Sequence, residues 1–97
     1  MATRAYEAVL ILTPDLADEA LATAIDQVKS YLAGGGESVT KTDTWGRRRM
    51  YHEVKGHRDG YYLVLEFPAE PPTIQGLEDR LRLDENVIRS LVVRADA

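Results

Sequence analysis

The sequence predicts an α+β sandwich, an antiparallel sheet of four strands with two helices on one face. Three observations carry that expectation. The runs from Tyr6 to Leu12 and from Tyr61 to Phe67 are almost continuously apolar, with the length and β-branched content of central strands. Two other stretches repeat apolar residues at steps of three and four, the period of a half-buried helix. In order, the segments read strand, helix, strand, strand, helix, strand within 97 residues, enough for one domain, 1–97, with a modest core.

The first strand ends at Thr13-Pro14-Asp15, because proline has no N–H for a ladder. Leu21, Ile25, Val28 and Leu32 then mark one face of a helix of about five turns. Thr13 or Asp15 is placed to cap it, and Asp15, Asp18 and Glu19 suit the positive end of its dipole. Gly34-Gly35-Gly36 follows the helix. A phosphate cradle would precede one, so the triplet reads as a C-terminal cap and tight turn.

The stretch from Glu37 to Val54 is extended. Val39 and Trp45 share odd parity, whereas Met50 and Val54 share even parity, so a bulge is expected between them, at Gly46. At about 3.3 Å per residue the stretch would reach roughly 60 Å, against roughly 23 Å for the strand from Tyr61 to Phe67. Residues 46–59 are therefore expected to leave the sheet end as an arm, with a turn at Asp59-Gly60. Pro68 is expected to end the next strand. Pro71-Pro72-Thr73 opens a second helix with Ile74, Leu77 and Leu81 as its buried stripe, and Asp84-Glu85-Asn86 turns the chain into a last strand from Val87 to Val93. Two split strand-helix-strand units with right-handed crossovers describe the ferredoxin-like sandwich, with the first and third strands in its centre.

Apolar content of 44% with 29% charged residues argues against disorder. No apolar run approaches the roughly 20 residues that span a bilayer, and Met-Ala-Thr-Arg begins no export signal. The absence of cysteine removes disulfides and thiolate sites, and is compatible with the cytosol.

Charge is segregated. Between residues 41 and 58, Lys41, Arg47, Arg48, Arg49, Lys55 and Arg58 outweigh Asp43 and Glu53, giving about +4 within a chain of net charge −4. The rest therefore carries about −8. One basic segment on an acidic body is the footprint of a protein that meets a polyanion, and the interleaved Trp45 and Tyr51 favour nucleic acid, whose bases stack on such rings. Trp45 itself, beside the bulge, reads as a core plug. RNA-recognition modules of this topology carry stacking aromatics on the central strands, but the matching positions here are mostly Val9, Ile11 and Val64, which suit a protein partner or a packed loop better than stacked bases.

Catalytic chemistry finds little support. Ser30, Ser38 and Ser90 lie on separate predicted elements without a nucleophile elbow. His52, Glu53 and His57 could nominally ligate a metal, but His52 and Glu53 point to opposite faces of a strand, and the arginines around them repel a cation. No metal, cofactor or small-molecule substrate is expected.

Tyr6-Glu7 opening an apolar strand, Trp45-Gly46-Arg47-Arg48-Arg49, Lys55 through Gly60-Tyr61-Tyr62, and Leu81-Arg82-Leu83-Asp84-Glu85-Asn86-Val87 with Val92-Val93-Arg94 resemble bacterial small-subunit ribosomal protein six across almost the whole chain. The resemblance implies the ferredoxin-like fold, no enzymatic activity, a place in the cytoplasmic ribosome, and binding of 16S ribosomal RNA jointly with ribosomal protein eighteen. Met50, Tyr51 and His52 depart from the family pattern, which usually has a leucine, a small residue and a tyrosine there. On this reading the RNA-binding candidates are Arg4, Tyr6, Arg47, Arg48, Arg49, Lys55, His57, Arg58 and Arg94. The candidates facing the protein partner are Val9, Ile11, Val39, Lys41, Trp45, Tyr62, Val64 and Leu91, and the isolated chain is expected to be a monomer. Two other readings stand beside it. One is a homodimeric ligand-binding or enzymatic domain of the same fold, which would need a cleft with convergent polar groups. The other is a non-ribosomal single-strand binder using the same arm.

Overall fold

The computed structural model describes residues 3–32 and 38–95. Strand β1 (Arg4–Leu12) leads to helix α1 (Asp18–Ser30), then β2 (Lys41–Val54) and β3 (His57–Ala69). A 3-10 turn (Pro71–Thr73) enters α2 (Ile74–Leu83), and β4 (Val87–Arg94) closes the fold. The sheet order is β2-β3-β1-β4 and every pairing is antiparallel, so the two most apolar strands are central, as the sequence implies.

Strand alternation sorts the core. Tyr6, Ala8, Leu10 and Leu12 of β1 and Leu63, Leu65, Phe67 and Ala69 of β3 face the helices and bury against Leu21, Val28, Leu32, Leu77 and Leu81. Each fully buried leucine contributes about 1.5–3 kcal/mol. Tyr61 packs on this side and Tyr62 on the other, as their alternation requires. The end of α1 is tied to the turn before β4 by one carboxylate. The Tyr31 hydroxyl donates to Asp84 Oδ2 at 2.8 Å, and the backbone N–H of Asn86 donates to Oδ1 at 2.8 Å.

Several local expectations change. Helix α1 has 13 residues and starts after Ala17 with no side-chain cap, so neither Thr13 nor Asp15 caps it. The Thr13 N–H donates instead to the Asn86 carbonyl at 2.9 Å, joining the end of β1 to the approach to β4. Gly34, Gly35 and Gly36 lie outside the described residues. The hairpin turns at Lys55-Gly56, whose φ angles of 52° and 80° are those of a two-residue type I′ turn matched to strand twist. Asp59 and Gly60 are consequently part of β3. Gly60 is buried, and a Cβ there would overlap the Ile11 side chain on the neighbouring strand.

Pro68 does not end β3; it pairs with Ala5 and the strand runs on to Ala69. The reason is register. The Ala5 carbonyl accepts from the Ala95 N–H on the β4 side, so the proline nitrogen faces away from β1. It points past the start of β2, whose pairing with β3 begins at Lys41 and Glu66, and no ladder bond is forfeited.

Candidate nucleic-acid interface

The candidate surface is shaped by two irregularities in β2. The first is at the expected place. Thr44 pairs with Leu63 and Gly46 with Tyr62, so Trp45 is an extra residue, and Gly46 takes a φ of 81° that favours glycine. The bulge turns Trp45 onto the open sheet face, where it is 51% exposed and no core plug. Its ring stacks on Tyr62, with centroids 6.3 Å apart and planes 8° from parallel. The Arg48 guanidinium lies 5.6 Å from the indole centroid, and its Nε donates to the Trp45 carbonyl at 3.3 Å. A cation over a ring in this way contributes about 0.5–1 kcal/mol at an exposed site.

Beyond the bulge the three arginines alternate faces. Arg47 is opposite Tyr61 on the helix side, where its Nε and Nη2 donate to the carbonyls of Pro14 at 3.2 Å and Leu16 at 3.0 Å. Arg48 is on the open face, and Arg49 returns to the helix side opposite Asp59. The basic run is thus divided between two surfaces.

The second irregularity disposes of the excess length. Arg49 pairs with Asp59 and Val54 with His57, so residues 50–53 stand opposite Arg58 alone. This wide bulge swings the arm back across the open face instead of extending it from the sheet end. Met50 and Val54 pack there on Ile11, Ile88 and Tyr62, forming a second small apolar cluster. Ile88 is itself the extra residue of a register shift in β4, between the pairs Leu12–Val87 and Ile11–Arg89.

The partner-facing residues change accordingly. Ile11 and Val64 are only 9% and 7% exposed, so neither offers free surface. Val39 packs against the main core on the other side of the sheet. Lys41 is exposed near Asp43, at 3.7 Å. Apolar surface on the open face is left to Trp45, Leu91 and Val93, with half-buried Val9 and Tyr62 between them.

The RNA-binding candidates also divide. Tyr6 is buried, stacked on Phe67 at 6.2 Å, and its ring is not open to a base. Arg4 and Arg94 are exposed but stand at the opposite end of the sheet from Arg47, Arg48 and Arg49. Along β1 the level of Arg47 lies six steps from that of Arg94 and eight from Arg4, about 20 and 26 Å. Lys55 occupies the arm's turn. His57 lies 3.9 Å from Asp15, and Arg58 is 3.6 Å from Glu53. An exposed pair such as Arg58 with Glu53 contributes less than about 1 kcal/mol and leaves the guanidinium open to other anions. Two residues outside the candidate set join the surface: Tyr51, already noted as an aromatic beside the arginines, is fully exposed on the arm, and Arg89 is exposed beside the β4 bulge. Tyr51 had a signal, an aromatic at a position where the family pattern has a small residue. Arg89 carried no comparable signal.

A four-stranded sandwich with helices on one face and a basic arm laid over the other defines a small ferredoxin-like protein built to present a surface. The family model described as Ribosomal protein S6 matches residues 5–94. The small ribosomal subunit protein bS6 of Heliobacterium modesticaldum is 41% identical over 93 residues, covering 96% of this chain and 97% of the relative. The bS6 protein of Streptomyces coelicolor is 39% identical, with 96% and 97% covered. A crystal structure of 30S ribosomal protein S6 from Thermotoga maritima superimposes with a TM-score of 0.86 at 25% identity, over 98% of this chain and 90% of that one. The chain belongs to the ribosomal protein S6 family, whose members are structural proteins and not enzymes.

Proposed function

We propose that this chain binds 16S ribosomal RNA together with ribosomal protein eighteen, with the arm on the RNA and the open sheet face toward the protein partner. As a member of its family it works in the small ribosomal subunit, in the bacterial cytoplasm. The observation that carries the RNA half is the segregation of charge, about +4 in residues 41–58 on a body of about −8. Phosphate neutralisation by such a segment supplies affinity without much sequence preference. Support for the protein half comes from the apolar side chains of Trp45, Leu91 and Val93, exposed on the face that the helices leave uncovered. The isolated chain is a monomer on this reading.

Tagged protein in a cell extract should sediment with small ribosomal subunits. In vitro, log affinity for the RNA should fall with log salt at about 0.7–0.9 per phosphate, corresponding to a handful of phosphates. A slope implying ten or more would move the principal site away from the arm. A stable homodimer enclosing a polar cavity would favour the ligand-binding reading instead.

A further inference from the structure

The folding-back of the arm has a consequence at its tip. Met50 and Val54 seat on Ile88, which brings the Lys55 turn beside the start of β4 and the end of α2. There Lys55, Arg82 and Arg89, from three different elements, line one open cavity of about 230 Å³ together with Glu78 and Ser90. Three cations face one carboxylate, so the cavity wall carries about two net positive charges. Arg82 also lies 3.5 Å from Asp79, but both side chains are largely exposed and such a pair is weak. At roughly 30 Å³ per water the cavity has room for a phosphate group and its remaining hydration, and it is smaller than a site for a drug-sized ligand.

We infer that this cleft holds a backbone phosphate of the RNA, with Arg82 and Arg89 as forked donors, Lys55 as a point charge and Ser90 offering a hydroxyl. The inference rests on the proposed RNA binding and extends its footprint past the arm onto α2 and β4. Continuity favours a strand over a free phosphate ion. Arg89 also lines the neighbouring cavity with Met50, Tyr51 and His52, so a chain lying on the arm passes directly into the cleft.

The test uses the full chain with ribosomal protein eighteen and a 16S RNA fragment, and reads affinity across 50 to 200 mM salt. Arg82→Gln with Arg89→Gln should lower the salt slope by about 0.7–0.9 for each phosphate no longer neutralised, making the fall in affinity across that range roughly threefold smaller per phosphate. Arg80→Gln is the control for net charge, because Arg80 lies over the Tyr31 ring, 5.8 Å from its centroid, and lines no part of the cleft. Arg48→Gln with Arg49→Gln tests the arm separately. A slope unchanged in the cleft variant but lowered in the arm variant overturns the cleft and leaves the arm standing. A slope lowered only in the cleft variant supports the cleft and overturns the arm. Equal effects from Arg80→Gln and Arg89→Gln, each made alone, would reduce the cleft to general electrostatics and overturn it. Thermal midpoints close to that of the parent chain establish that each variant is folded. Titration with inorganic phosphate, followed by the amide signals of Lys55, Arg89 and Ser90, separates the two phosphate sources. Saturable shifts with phosphate and none with RNA would assign the cleft to a free anion and sink the inference.

Discussion

The guanidinium of Arg47 holds the carbonyl of Leu16 at 3.0 Å, fastening the loop before α1 to the edge strand β2. A second bond from the same group to Pro14, at 3.2 Å, makes this a two-point clamp. The first of three consecutive arginines therefore serves the fold, whereas Arg49 is left exposed for the proposed RNA contact. Arg47→Ala should cost about 1–2 kcal/mol, because it removes two charge-assisted hydrogen bonds at an exposed site. Arg49→Ala should stay within about 0.5 kcal/mol of the parent chain but weaken RNA binding and lower its salt slope. Urea denaturation and RNA titration of the two variants separate the roles, and equal stability losses would show that the clamp is not special to Arg47.

Gly60 tests the second cluster. An alanine there would push its Cβ into Ile11 and would also approach the Met50 sulfur to 3.6 Å. Gly60→Ala should destabilise by about 1–3 kcal/mol, an overpacking effect. In a domain of this size that is a fall of roughly 4–8 °C in Tm for each kcal/mol. Combining it with Ile11→Ala should be less destabilising than the two single changes added together, since the clashing methyl is gone. Strict additivity would mean that the two positions do not meet.

Trp45 is the chain's one tryptophan and reports on the open face. On the proposed function, adding ribosomal protein eighteen should shift its emission to the blue and shield it from acrylamide. Trp45→Ala should weaken that association by about 2 kcal/mol or more, roughly thirtyfold, if the indole is a central anchor. An emission spectrum unmoved at saturating partner would place the interface elsewhere.

Tyr51 offers RNA something different from the arginines. It is fully exposed on the arm and uncharged, so its use would be stacking on a base. Tyr51→Ala should reduce RNA affinity by about 1–3 kcal/mol per stacked base while leaving both the salt slope and the Tm unchanged. A lowered Tm would reveal a packing role that its exposure does not suggest.

Tyr31 links stability to alkaline pH. Partial burial pushes its hydroxyl above the ordinary value of 10.0; the Gln27 hydrogen bond opposes this, and the Asp84 carboxylate reinforces it. The native state thus holds this proton more tightly than the unfolded chain. The associated stability is full below pH 10 and disappears as pH rises through the raised native value. Tyr31→Phe should cost about 1 kcal/mol at neutral pH by removing the bond to Asp84, and should flatten the alkaline decline. Denaturant midpoints between about pH 8 and 11 would show this, and parallel curves would remove Tyr31 from the account.

Local pattern was enough to determine the order of elements. Apolar runs around Leu10 and Leu65, the helical spacing of Leu21, Val28, Leu77 and Leu81, and the charge excess of the arm are properties of neighbouring residues, and each appears where its period requires. The bulge at Gly46 was legible for the same reason, because a parity change along one strand must be absorbed somewhere. What remained for the tertiary structure was register, which depends on two strands at once. Only the pairing of β2 with β3 decided that residues 50–53 loop out opposite Arg58. That pairing also sent Arg47 and Arg48 to opposite faces, opened Trp45 to solvent, and placed Gly60 beneath Ile11 rather than in a turn. Lys55 is remote in the chain from Arg82 and Arg89, and it joins them at one cleft because Met50 and Val54 found an apolar seat on Ile11 and Ile88. Hydrophobic burial is non-directional along the chain, so no pattern of spacing could announce which surface the arm would settle on.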